Sequence, residues 1–122
     1  RANGQTTLIT GDCELDAIDM VSRLWKTELK ADIYQINHHG YSEIPQDFID
    51  LVDPSIALWP TSQTTFERRS QESWRGGVYA NLLKRVDECI VADGQAKILT
   101  LPYAKDGTAE YYTMDFTKRN QT

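Results

Sequence analysis

Two histidines and two cysteines are the whole supply, in 122 residues, of the side chains that most often bind transition metals or act as nucleophiles. Cys13 and Cys89 form one possible pair with no framework spacing, so disulfide scaffolds are excluded and a reduced, cytoplasmic setting is the default. No apolar run approaches the roughly 20 residues that cross a bilayer, and no signal peptide is visible. Positive charge is short as well: 13 Lys and Arg stand against 18 Asp and Glu, a net charge of −5. That argues against broad, sequence-independent binding to nucleic acid, which runs on phosphate neutralisation, and leaves only a local basic patch open. Repeats, low-complexity tracts and linkers are also missing. Residues 1–122 therefore read as a single domain, long enough to bury a core.

What is present is a succession of short apolar runs. Thr6–Thr10 reads as a first strand, stopped by Gly11. Leu15, Ile18, Val21, Leu24, Trp25 and Leu29 recur at helical spacing, which predicts an amphipathic helix over 15–29 with one face on a sheet. Asp12 or Glu14 is placed to cap it. Asp32–Asn37 gives a second strand and His38–Ile44 a loop. Pro45 suits the first turn of a short helix to about Val52, with Phe48, Ile49 and Val52 inward. Ser55–Trp59 is a third strand, stopped by Pro60. The polar, Gly-terminated stretch 61–77 reads as a long loop, functional or mobile. Val78, Leu82, Leu83 and Val86 restore the helical period. Three strands, Cys89–Ala92, Lys97–Leu101 and Ala109–Phe116, close the chain through hairpin turns at Asp93-Gly94 and Asp106-Gly107. The fold class is α/β with an antiparallel last part.

Strand, helix and strand in succession imply a parallel crossover, right-handed in nearly all known cases. Parallel strands end on one edge, so Asp12 and the His38-His39 pair emerge side by side where open α/β sheets bind ligands. A carboxylate and an imidazole there suit a hard-to-borderline divalent metal. Plainer roles stand beside this one: Asp12 as a helix cap, and the two rings as one packed and one solvated. Arg68, Arg69 and Arg75, with Thr61, Ser62, Thr64 and Thr65, follow the third strand towards the same edge. Read functionally they recognise an anionic substrate, since Arg matches phosphate and carboxylate geometry. Read plainly they are a solvated loop. Cys13 is a soft ligand or a small buried residue; Trp59 and Trp74 line a pocket or fill the core.

The blocks Leu8-Ile9-Thr10-Gly11-Asp12-Cys13-Glu14, Leu29-Lys30-Ala31-Asp32-Ile33 and Asn37-His38-His39-Gly40-Tyr41-Ser42, in that order and spacing, resemble the C-terminal half of the metallo-β-lactamase-fold hydrolases. The nearest branch is that of the DNA-uptake competence proteins, and the resemblance spans most of the chain. It implies an αββα sandwich to which this chain gives a mixed sheet with covering helices, and a site holding two zinc ions. The Asp matching Asp12 would bridge the ions, and His39, which precedes Gly, would complete one shell. His38 would then support the site or face the substrate. Two features depart from the family pattern. The His-x-His-x-Asp-His motif is absent, and Asp12 with two His cannot supply two ions. Where the branch has a Gly-His-Pro type loop, this chain reads Thr64-Thr65-Phe66-Glu67-Arg68-Arg69, which puts a nuclease role in doubt.

The expectation is therefore half a fold: the C-terminal part of a hydrolase of ester, phosphoester or related bonds, acting on small molecules or phosphoesters. The missing N-terminal half would carry the other ligands upstream of Arg1, with which a first residue other than Met agrees. Alone, the chain is expected to be inactive, to bind zinc weakly or not at all, and to self-associate into a homo-oligomer through its uncovered sheet face or edge. The rival from another class is a non-catalytic α/β interaction domain. A third reading is a degenerate family member that kept the fold and lost the metals.

Overall fold

Four short apolar runs pair side by side in sequence order. β1 (Thr7–Ile9), β2 (Ile33–Gln35), β3 (Ile56–Trp59) and β4 (Glu88–Val91) form one parallel sheet. The computed structural model describes residues 1–99, 101–102 and 110–113. Helices α1 (Leu15–Trp25) and α2 (Gln46–Val52) join the first three strands, and α3 (Gln63–Arg69) with α4 (Val78–Arg85) joins β3 to β4. A second sheet pairs β5 (Gln95–Ile98) with β6 (Glu110–Thr113), antiparallel. Among the described residues no helix is long and apolar enough to cross a membrane.

The strand order never reverses, so right-handed crossovers stack every connecting helix on one face. Leu8, Tyr34, Ala57 and Cys89 are register partners across that face. They share one core with Ile18 and Val21 of α1, Phe48, Ile49 and Val52 of α2, and Tyr79 and Leu82 of α4. The alternate rows, Thr7–Ile33–Ile56–Glu88 and Ile9–Gln35–Leu58–Ile90, point the other way. None of their members belongs to the helix-side core, and Ile9 is 72% exposed.

Four expectations change. The helix predicted over 15–29 ends at Trp25, where Lys26 takes a positive φ (47°, ψ −125°) and a single 3-10 turn, Lys26–Leu29, follows. Its apolar stripe is wider than the sheet it meets: Ile18 and Leu29 are buried, while Leu15, Met20, Leu24 and Trp25 are exposed. Neither carboxylate caps α1. Glu14 holds the N-cap position without a side-chain bond, and Asp12 turns to His39 instead. The stretch 61–77 is not one loop, because the Ser62 hydroxyl caps α3 by accepting the Thr65 N–H and Phe66 packs edge-on against Trp59 at 5.2 Å. Finally, Asp93-Gly94 does not close a hairpin. β4 pairs with β3 in parallel, β5 leaves for the second sheet, and the Asp93 carboxylate accepts the Gln63 N–H at 2.7 Å. The turn signal is local, whereas the strand partner is chosen by burial. The Asp106-Gly107 turn lies outside the described residues.

Candidate functional site

Beyond β2 the chain makes a left-handed turn out of residues that disfavour it. His38 (φ 49°, ψ 40°) and His39 (φ 55°, ψ 19°) both lie in the left-handed region, followed by Gly40 at φ 77°. For side chains with a Cβ that conformation costs roughly 1–2 kcal/mol per residue, and it persists only where the surroundings over-determine it. Here they do. The His38 N–H donates to the Gly11 carbonyl at 2.8 Å, tying the turn to the loop after β1. The Trp59 indole donates to the His39 carbonyl at 2.9 Å. Asn37, wholly buried, donates to the Cys13 carbonyl at 2.9 Å and accepts the Tyr34 hydroxyl at 2.7 Å. Burial pushes the Tyr34 phenol well above its ordinary pKa, so it stays a donor. Gly40 is required twice: by its φ, and because a Cβ there would stand 2.7 Å from the Trp59 ring.

The turn presents both imidazoles to the loop after β1. His39 Nε2 lies 3.6 Å from Asp12 Oδ1, and His38 Nδ1 lies 3.6 Å from Glu14 Oε1. His39 Nδ1 sits 2.6 Å from the Pro60 carbonyl. A carbonyl only accepts, so Nδ1 carries a proton, and Nε2 is the ring nitrogen that faces Asp12. His38 Nδ1 lies 2.8 Å from the Ser42 hydroxyl. Gln35 is a supporting residue with no signal in the sequence pattern; its Oε1 accepts the Gly11 N–H at 3.0 Å and its Nε2 donates to the Ile36 carbonyl at 2.8 Å.

The spacing can be tested against a metal shell. With ligand bonds of about 2.0–2.2 Å, two donors of a tetrahedral ion stand about 3.4 Å apart. Asp12 and His39, at 3.6 Å, fit two corners of such a shell. Among the described residues no group of three or more His, Cys, Asp or Glu could hold an ion. The chain's residues thus fit part of a shell. Cys13 is half-buried, packed against the core as a free thiol.

The substrate-side residues separate. Thr61 is half-buried, Ser62 caps α3 and Arg68 is exposed. Arg69 is only 8% exposed. Its guanidinium carbon lies 3.3 Å from the centre of the Tyr41 ring and 5.2 Å from that of Trp74. The Tyr41 ring in turn lies 5.8 Å from the His38 ring and 6.4 Å from that of His39, centre to centre. On the helix-free face an open cavity of about 390 Å³ runs between Gln35, Leu58, Pro60, Ile90 and Lys97.

Comparison with known proteins finds no family, no curated protein and no solved structure that matches this chain.

Proposed function

We propose that this chain supplies part of the metal site of a hydrolase of the metallo-β-lactamase type. Asp12 and His39 would be the two donors it contributes to one of two zinc ions. The observation that carries this is the His39 ring: Nδ1 fixed on the Pro60 carbonyl and Nε2 turned to Asp12 at 3.6 Å, the second-shell device by which metal-binding imidazoles are oriented. A divalent ion held by Asp12 and His39 would supply Lewis acidity there, towards an ester or phosphoester and the water that attacks it. This chain's own part is positioning. Pro60 holds the tautomer, the left-handed turn holds the ring, and Ser42 fixes His38 beside Glu14. The remaining donors come, in this reading, from a second αβ layer at the Ile9 end of the helix-free face, where Ile9 is exposed and Leu58 and Ile90 are half-buried; Ile33 and Ile56 farther along that face are already buried by this chain.

Zinc titration followed by NMR tests it. Weak binding is expected, with the His39 ring signals moving first and the response lost in Asp12→Asn and in His39→Gln. A zinc response that is unchanged in Asp12→Asn or in His39→Gln contradicts the reading.

The second reading, a non-catalytic interaction domain, is supported by a different observation: Met20, Leu24 and Trp25 of α1 are more than half exposed, Leu24 at 70%. Met20 and Leu24, one turn apart, share a helix face, and exposed apolar patches of this kind commonly mark a protein contact. It gains if the zinc response fails in the folded chain.

A further inference from the structure

Around Arg69 the structure gathers N–H donors for which the described residues supply no acceptor. Among the described residues, Nε and Nη1 of Arg69 and Nε1 of Trp74 are buried without a hydrogen-bond partner. None of the ion pairs among the described residues includes Arg68, Arg69 or Arg75. Arg69 and Arg75 each lie 5.2 Å from the centre of the Trp74 ring. Both also act on the Tyr79 phenol, pulling down a pKa that burial raises. The phenol itself is spent, donating to the Ser42 carbonyl at 2.5 Å.

A buried cation is normally paired or hydrogen-bonded, because burial without an acceptor forfeits its hydration. Stacking on Tyr41 and Trp74 returns some of that through cation–π attraction. It does not satisfy the N–H groups. Three orphan donors beside a second Arg, in a chain of net charge −5, are the complement of an oxyanion. Two guanidinium charges match a dianion better than a carboxylate, and phosphate offers three terminal oxygens to a forked donor set.

We propose that Arg69, Arg75 and the Trp74 indole N–H form a binding site for a phosphate monoester group. Entry requires the half-exposed Tyr41 ring or the 70–76 loop to swing aside, because the donor atoms are covered. Tyr41 is also the ring next to both imidazoles, so a phosphate held here sits beside the Asp12–His39 corner. The site itself does not rest on the metal reading.

Inorganic phosphate, titrated at constant ionic strength and followed by NMR, tests the site. The Trp74 indole N–H and the Arg69 Nε–H signals are expected to shift saturably. Arg69→Gln should weaken binding about tenfold or more. Arg75 is exposed, so Arg75→Gln keeps the fold and should weaken binding a few-fold if Arg69→Gln fails to fold. Asp12→Asn should leave phosphate binding unchanged, which separates this site from the metal corner. Chloride producing the same shifts, no saturable shift at tens of millimolar phosphate, or full binding in Arg75→Gln would overturn the proposal.

Discussion

Two corners of one sheet edge handle charge in opposite ways. At the β1–β2 corner, Asp12, Glu14, His38 and His39 stand partly in water, and what is strained is the backbone that presents them. At the α3 corner Arg69 itself sits on ordinary helix, though Arg75 beyond it takes a positive φ of 46°, and the conflict lies chiefly in the chemistry: an arginine 8% exposed, with donors unmet among the described residues. The first corner spends stability on where groups point. The second spends it on what they lack. Both kinds of local conflict are typical of functional sites, where a sequence gives up consistency with the rest of its fold.

The sharpest way to break the comparison is to attack the backbone corner. Gly40→Ala adds a Cβ at φ 77° against the fully buried Trp59 ring. Left-handed strain and overpacking together should cost about 3 kcal/mol. Urea denaturation reads this as a lower midpoint at an unchanged slope. A loss under about 0.5 kcal/mol, the scale of an ordinary surface change, would mean that the turn is not held by Trp59. At the other corner the sign should reverse. Arg69→Met keeps an unbranched stem against Tyr41 and Trp74 while removing the unmet donors, so in phosphate-free buffer it should gain about 1 kcal/mol. A clear loss of stability would show that the guanidinium is well satisfied as it stands.

How far these corners were legible in the sequence differs for the same physical reason. The side-by-side placement of Asp12 and His39 follows from topology, since consecutive parallel strands deliver their ends to one edge. That rule is insensitive to the details of any one residue. The left-handed turn under His38 and His39 was not legible, because only Gly40 signals a positive φ and the hydrogen bonds that hold it come from Gly11 and Trp59. Arg69 was legible as an arginine near the edge but not as a buried one. Its burial depends on Tyr41, a residue 28 positions away on another element. The helix α3 was hidden in TSQTTFERR, where Phe66 alone supplies an apolar anchor and no period can be counted. For α1 the period was plain and the neighbour was not: a stripe says which residues share a face, not whether the fold covers it.

A third arginine sharpens the contrast with the smallest effect. Arg85 has what Arg69 lacks: Nη1 reaches Asp50 Oδ1 at 2.5 Å and Nη2 reaches Asp53 Oδ1 at 3.0 Å, tying α4 to the end of α2. The Gln46 amide and then Arg85 hold the Asp50 carboxyl below its ordinary pKa. A carboxyl whose folded pKa is depressed adds stability above its unfolded value of about 3.9, and that stability is lost as pH falls through the folded value. Asp50 is 53% exposed, so solvent screening keeps the contribution below about 1 kcal/mol. Asp50→Asn should therefore be slightly less stable than the parent at neutral pH, and the gap should close once the parent's carboxyl is protonated in strong acid. Urea midpoints measured at both pH values check it. A gap that stays constant would assign the effect to packing of the side chain rather than to its charge, and Arg85 would cease to be the paired counterpart of Arg69.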